Sequence, residues 1–164
     1  MKRLYLIGGT MGIGKTTVCR ELQKRSDRCV FLDGDWCWDM HPFQVTEETK
    51  RMVMDNICFL LNNFLKCSAY ETVLFCWVMH EQSILDEILE RLNLNDCRVT
   101  AISLVGTEEE LKKRLCGDIA AGRRTPGILE RSAARLELYG RLNTVKVNVT
   151  GKSIEETAEE ILSL

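Results

Sequence analysis

Segments with two different spacings of apolar residues alternate along this chain, and this alternation predicts strands that are separated by helices. Short apolar runs, such as residues 4–7 and 72–76, are typical of strands that are buried on both faces. Longer stretches between them carry apolar residues at helical spacing, as Val53, Ile57 and Leu60 do. The pattern therefore predicts an α/β fold, with a parallel sheet between two layers of helices.

The predicted elements follow one another without a repeat or a linker, so we expect residues 1–164 to form a single domain. Strands are predicted at residues 4–7, 29–32, 72–76, 97–105 and 145–149. Helices are predicted at residues 16–25, 46–66, 81–92 and 128–139, with two more that start at capping boxes beginning with Thr107 and Ser153. Residues 117–127 contain three glycines and a proline, and they are predicted to form a mobile lid loop.

Composition excludes several classes of function. The net charge of −2 provides no basic surface for nucleic acid. The longest apolar run, residues 73–79, is too short to span a membrane, and residues 4–7 are too short for the core of a signal peptide. The eight cysteines include no C-x-x-C pair, so we expect reduced thiols in a cytoplasmic protein. Nothing in the sequence predicts an oligomeric state.

A phosphate-binding loop is the most specific motif of the chain. Residues 9–16 match the pattern G-x-x-x-x-G-K-[ST] and lie between a predicted strand and a predicted helix. Backbone N–H groups of such a loop surround phosphate, the lysine reaches the β- and γ-phosphates, and the hydroxyl can ligate Mg²⁺. The motif therefore predicts ATP and Mg²⁺ as cofactors, bound by Gly9, Gly12, Gly14, Lys15, Thr16 and Thr17.

Two carboxylates follow the second predicted strand. Asp33 and Asp35 flank a glycine, and ligands of parallel sheets bind beyond the carboxyl ends of the strands. One carboxylate is expected to help hold Mg²⁺, and the other is expected to accept a proton from an attacking hydroxyl. A plain Asp-Gly turn is the alternative interpretation.

Aromatic and imidazole side chains concentrate after the second and third predicted strands. All of the tryptophans and histidines of the chain occur there: Trp36, Trp38, His41, Trp77 and His80. We expect these five residues to form the wall of one acceptor pocket beside the phosphate loop. Ordinary core packing is the alternative.

Four arginines form a third candidate cluster. Arg123 and Arg124 fall in the predicted lid, and Arg131 and Arg135 lie one turn apart on the helix that follows. A phosphoryl group that is being transferred develops charge that such a cluster can stabilise. We therefore expect Arg124 and Arg131 to serve catalysis.

Together these motifs resemble the small P-loop metabolite kinases, a group that includes nucleoside monophosphate kinases, shikimate kinase, gluconate kinase and chloramphenicol phosphotransferase. The resemblance covers nearly the whole chain and implies a three-layer fold with five parallel strands in the order 2-3-1-4-5. It also implies Asp33 near the metal, Asp35 at the acceptor hydroxyl and Arg124 in the lid. By the same resemblance, Arg135 would bind substrate, and Gly151 and Lys152 would contact adenine.

The chain departs from this group at the end of the third strand, where Cys76 and Trp77 stand in place of a Walker B aspartate or a glycine run. Metal binding is therefore expected to depend on Thr16 and Asp33. The first hypothesis is an ATP-dependent kinase of a small hydroxyl-bearing acceptor. The alternatives are a nucleotide kinase with a phosphate acceptor, a polynucleotide end kinase, and an NTP-dependent switch that is not a kinase.

Overall fold

A five-stranded parallel sheet forms the centre of the protein, as seen in a computed structural model that describes residues 1–164. The strands are β1 Lys2–Gly8, β2 Cys29–Asp33, β3 Thr72–Trp77, β4 Cys97–Val105 and β5 Val145–Asn148. The helices are α1 Lys15–Lys24, α2 Glu47–Lys66, α3 Gln82–Arg91, α4 Glu108–Ala120, α5 Ile128–Gly140 and α6 Ile154–Leu162. The spatial order is β2-β3-β1-β4-β5, which confirms the predicted fold class and topology.

The sheet separates two apolar cores. Alternate residues of a strand point to opposite faces, so Leu4 and Leu6 of β1 join one core while Tyr5 and Ile7 join the other. Helices α2 and α3 cover the first core, and α1, α4, α5 and α6 contribute buried side chains to the second. Burial on both faces explains why the strands read as continuous apolar runs.

Side-chain caps begin three of the helices. Thr46 and Ser153 form reciprocal capping boxes at the starts of α2 and α6. The prediction of a capping box at Thr107 is wrong, because only one of its two hydrogen bonds forms. The Thr107 hydroxyl caps α4 by accepting a hydrogen bond from the Glu110 backbone N–H at 3.3 Å. The Glu110 carboxylate instead accepts from Arg114 Nε at 2.8 Å.

Two segments differ from the predicted elements. A 3₁₀-helix at Gly34–Trp38 follows β2, where no element was expected. The predicted loop at residues 117–127 is wrong at its start, because α4 continues through Gly117 and ends at Ala120. The backbone N–H of Ala121 still donates to Gly117 O at 3.1 Å, so helical hydrogen bonding persists there. Only residues 121–127 remain as an exposed connection between α4 and α5.

No helix combines the length and the apolar composition that a membrane span requires.

Candidate active site

The phosphate loop connects the end of β1 to the start of α1, as predicted. Gly12 and Gly14 have φ angles of 83° and 110°, a left-handed conformation that residues with a Cβ rarely adopt. Close packing also requires Gly12, since a Cβ there would lie 2.3 Å from Leu115 Cδ2. The first turn of α1 holds no acidic residue, so its N-terminal N–H groups and dipole are available to an anion.

Lys15 lies over this loop. Its half-buried Nζ donates to Gly9 O at 2.8 Å and to Thr10 O at 3.1 Å. Burial lowers the pKa of the Lys15 amine, whereas the carboxylates of Asp35 and Asp33 favour the charged form. A lysine held in this way provides a positive charge next to the loop N–H groups.

Asp33 connects β2 to the phosphate loop. Its buried carboxylate accepts a hydrogen bond from Thr16 Oγ1 at 2.7 Å and another from the Asp35 backbone N–H at 3.1 Å. On β3, the register partner of Asp33 is Cys76, so the neighbouring strand contributes no carboxylate at this level.

The oxygens of Thr16 and Asp33 suit Mg²⁺ bound together with a nucleotide. No group of three or more His, Cys, Asp or Glu side chains in the chain could hold a metal ion alone. Mg²⁺ typically uses one or two protein oxygens together with phosphate oxygens and waters. The adjacent hydroxyl and carboxylate fit that requirement, with Thr16 and Asp33 as the residues that would hold the ion.

Asp35 lies at the margin of the same site. Partial burial raises the pKa of its carboxyl group, the nearby Asp33 carboxylate raises it further, and Lys15 and Arg124 oppose the shift. Gly34 lets the segment approach β3, since a Cβ at Gly34 would lie 2.5 Å from Trp77 Cγ. The glycine between the aspartates is therefore required by packing against Trp77.

One cavity of 620 Å³ extends over the phosphate loop, within the size range of small-molecule sites. Eight of the predicted site residues line it: Gly12, Gly14, Lys15, Thr16, Thr17, Asp35, Arg124 and Lys152. Gly9 borders the site through its carbonyl, and Gly151 forms a left-handed turn before α6 with a φ of 71°. The structure thus brings residues of the phosphate loop together with Asp35, Arg124 and Lys152 in one cavity.

Arg114 and Asp118 of α4 also line the cavity, and the sequence interpretation missed both. Arg114 donates to Ile13 O at 2.9 Å and to Val149 O at 3.4 Å, which ties α4 to the phosphate loop and to the end of β5. Arg114 lies next to the buried Leu115 and three residues after the buried Leu111. In the sequence, the position of Arg114 at the edge of the apolar face of its helix was the only sign that it could contact the loop.

The Asp118 carboxylate pairs with both arginines of the connection. Its Oδ1 lies 2.8 Å from Arg123 Nη2, and its Oδ2 lies 3.4 Å from Arg124 Nε. The hydrogen bond from Arg123 holds the pKa of Asp118 below its usual value. Arg123 and Arg124, two of the four arginines predicted to stabilise a phosphoryl group, are therefore paired with a carboxylate in this structure.

The prediction that five aromatic and imidazole residues surround one cavity is wrong. Trp36 is 49% exposed and packs with its edge against Phe31, 5.3 Å away, while Trp38 and Trp77 pack against the core on the opposite face of the sheet. Residues two apart on a 3₁₀-helix point about 120° apart, so Trp36 and Trp38 cannot share a wall.

The two histidines are also separate from the cavity. His41 is exposed, and His80 Nε2 lies 3.5 Å from Glu81 Oε1. Neither histidine and none of the tryptophans lines the 620 Å³ cavity. Contact between individual members of this group and an acceptor stays a prediction.

Arg131 and Arg135 are likewise absent from the cavity wall. The exposed Arg131 turns back along α5, where its Nε donates to Gly127 O at 3.4 Å. Arg135 is half-buried, and its charge lies near the Tyr139 hydroxyl. The structure therefore does not place Arg131 where we expected it, and catalysis by Arg131 and substrate binding by Arg135 stay predictions.

Comparison with known proteins identifies the family. A family described as the AAA domain matches residues 6–135, which include the phosphate loop, both aspartates and Arg114. This chain belongs to the AAA domain family. No curated protein sequence matches the chain.

Solved structures share the fold. A gluconokinase from Sinorhizobium meliloti 1021 superposes with a TM-score of 0.71 at 20% identity, covering 97% of this chain and 89% of that chain. A shikimate kinase from Acinetobacter baumannii in complex with shikimate gives a TM-score of 0.61 at 19% identity, covering 99% and 92%. An APS kinase from Mycobacterium tuberculosis in complex with AMPPNP and APS gives a TM-score of 0.65 at 14% identity, covering 99% and 96%. The chain therefore has the fold of small P-loop kinases.

Proposed function

We propose that this protein is an ATP-dependent phosphotransferase that moves the γ-phosphoryl group of ATP to a hydroxyl of a small-molecule acceptor. The observation that carries the proposal is that Asp35 lines the same cavity as Lys15 and Thr16. A carboxylate, a phosphate-contacting cation and a metal-ligating hydroxyl are the groups that such a transfer needs at one point.

Each group has a distinct role in the proposed reaction. Loop N–H groups and Lys15 bind and orient the phosphates, and Thr16 and Asp33 would hold Mg²⁺, which supplies charge neutralisation when it is bound. Asp35 accepts the proton of the acceptor hydroxyl, and its raised pKa makes it a stronger base than an ordinary aspartate. Arg124 lines the cavity, unlike Arg123, and contributes positive charge at the phosphoryl group.

The other end of the cavity is suited to a nucleoside. Val149, Ser153 and Ile154 line it together with Lys152 and Arg114, which combines apolar contact with polar groups. The APS kinase of this fold was solved with AMPPNP, which supports an adenine nucleotide as the donor.

A hydroxyl acceptor fits the charges better than a phosphate acceptor does. A second phosphate placed against Asp35 would face a carboxylate, and like charges at contact distance repel. The neighbouring folds named gluconokinase and shikimate kinase further support a small hydroxyl-bearing acceptor. A nucleotide kinase is the second candidate, and an NTP-dependent switch is the third.

The proposal is tested by measuring ADP release with Mg²⁺-ATP and a panel of acceptors. The panel contains sugar acids, polyols, aminocyclitols and nucleosides, with nucleoside monophosphates as the alternative class. We expect ADP release to rise above the acceptor-free rate with one hydroxyl class. Phosphorus NMR of the product then distinguishes a phosphate ester from a diphosphate.

Lys15→Ala is the matched active-site control. It should abolish acceptor-dependent turnover while leaving the circular dichroism spectrum unchanged, because Lys15 bonds only to loop carbonyls. Turnover that is equal in the variant and the wild type would refute the assignment of the site. A diphosphate product would favour the nucleotide kinase, and slow hydrolysis that ignores every acceptor would favour the switch.

A further inference from the structure

Two buried hydroxyl groups join the phosphate loop to helix α5. Thr10 Oγ1 donates to Ser132 O at 2.8 Å, and Ser132 Oγ donates to Met11 O at 2.5 Å. The two hydroxyl oxygens lie 2.9 Å apart, and both residues are 0% exposed. Buried polar groups are rarely left unpaired, so each of these residues depends on the other.

The buried face of α5 contacts the chain just before and within the loop. Ser132 reaches Thr10 and Met11, and Tyr139, two turns further along the helix, lies against Gly8. A Cβ at Gly8 would be 3.4 Å from the Tyr139 ring. Helix α5 therefore packs along the end of β1 and the first residues of the phosphate loop.

The contact also reaches Lys15. Thr10 O accepts a hydrogen bond from Lys15 Nζ at 3.1 Å, so the residue that Ser132 holds is one that positions the lysine. The backbone that holds the loop lysine is thus joined to α5 through a single pair of buried residues.

We propose that Thr10 and Ser132 are positioning residues, which fix the phosphate loop against α5 so that Lys15 and the loop N–H groups stay in place for the phosphoryl group. The proposal deepens the phosphotransferase function and rests on it for its kinetic consequence. Its structural consequence, that Ser132 holds the loop in place, stands without that function.

Ser132→Ala and Thr10→Val remove one hydroxyl each with little change in shape, and Thr10→Ser keeps the hydroxyl. The chain offers a matched control in Ser103, a 0% exposed serine whose Oγ lies 2.7 Å from Thr144 Oγ1. Ser103→Ala removes the same kind of buried hydroxyl, but its hydrogen-bond partner, Thr144, is not a residue of the phosphate loop.

The first readout is amide hydrogen exchange without nucleotide. We expect the rate of amide exchange at residues 9–14 to rise by about tenfold in Ser132→Ala and Thr10→Val, because a loop without these hydrogen bonds to α5 opens more often. Thr10→Ser and Ser103→Ala should exchange there as the wild type does. Equal loop exchange in Ser132→Ala and Ser103→Ala would overturn the proposal.

The second readout is turnover, measured well below the melting temperature of each variant. Misplaced catalytic groups reduce kcat, so Ser132→Ala should lose about tenfold or more in kcat with the KM for ATP changed by less than about threefold. Thr10→Ser should retain the wild-type kcat, which a loss of stability alone would not predict. A variant Ser132→Ala with wild-type kcat would also overturn the proposal.

The two readouts separate this proposal from the proposed function. If the wild type fails to bind ATP in calorimetry, the phosphotransferase assignment is wrong, and the exchange experiment still decides whether Ser132 holds the loop. If the wild type binds and turns over ATP, both readouts apply. If one of the two hydroxyl-free variants does not fold, the other, Ser132→Ala or Thr10→Val, decides the question in both readouts, because each removes one member of the same buried pair.

Discussion

Replacing Gly12 by alanine is expected to destabilise the protein, and the structure sets the magnitude. The left-handed backbone at Gly12, with a φ of 83°, costs a residue with a Cβ about 1–2 kcal/mol. The new Cβ would also lie 2.3 Å from Leu115 Cδ2, and Leu115 is 0% exposed within the second core. Overpacking of this kind costs about 1–3 kcal/mol. The sum is about 2–5 kcal/mol of the free energy of unfolding.

Gly117→Ala is the matched substitution with the opposite expected sign. Gly117 lies inside α4, and a Cβ there would meet nothing within 4 Å. Alanine is more favourable than glycine in a helix by about 0.5–1 kcal/mol, so this variant should be stabilised by about that amount. Turnover should not change, because a helical residue does not serve as the hinge of a lid.

Thermal unfolding followed by circular dichroism measures both effects. A domain of this size changes its Tm by about 2–4 °C per kcal/mol. Gly12→Ala should therefore melt at least about 4 °C below the wild type, and Gly117→Ala about 1–4 °C above it. A wild-type Tm for Gly12→Ala would refute the packing of Leu115 on the loop. Loss of turnover in Gly117→Ala would support the prediction from the sequence that Gly117 belongs to a mobile lid.

Three further predictions concern the cavity. The raised pKa of Asp35 means that the base is protonated at acidic pH, so turnover should rise with pH through that pKa, and Asp35→Asn should lower kcat with little change in ATP affinity. An unchanged kcat in Asp35→Asn would exclude the role of Asp35 as base. The raised pKa of Asp35 also means that ionising this carboxyl group costs stability as pH rises through that pKa, so Asp35→Asn should raise Tm at neutral pH. Asp118→Asn frees Arg123 and Arg124 and should tighten ATP binding in calorimetry, whereas weaker binding would show that the pairing organises the site. Residues 121–127 should gain protection from hydrogen exchange at saturating nucleotide, and unchanged protection would exclude a lid there.

The phosphate loop, the order of the elements and the aspartate pair could be predicted because each depends on residues that are close in sequence. Residues 9–16 form a glycine-rich turn between β1 and α1, and Asp33 and Asp35 leave β2 at the edge where this turn also lies. Apolar periodicity likewise predicted both cores and the sheet between them, since a strand with no polar face must be covered twice.

The aromatic wall and the start of the lid were predicted wrongly for local reasons. Trp36 and Trp38 leave β2 on a 3₁₀-helix, which sends them to different faces of the sheet, and no strand or helix pattern indicates such a turn. Gly117 was interpreted as a loop residue because glycine often marks the end of a helix or strand, yet the hydrogen bonds of α4 continue past it. Composition identifies which residues are available but not the direction in which they point.

By itself, the sequence determined the fold class and the position of the phosphate-loop motif between β1 and α1, because hydrophobic periodicity and glycine spacing act over a few residues. Only the tertiary structure decided which side chains complete the site. Arg114 reaches Ile13 across 101 positions of sequence, and Ser132 reaches Thr10 across 122. Contacts over such separations depend on how whole helices pack against the sheet, and that packing results from many distributed apolar contacts. No local pattern of residues encodes it, so the partners of the phosphate loop became visible only when α4 and α5 were in place.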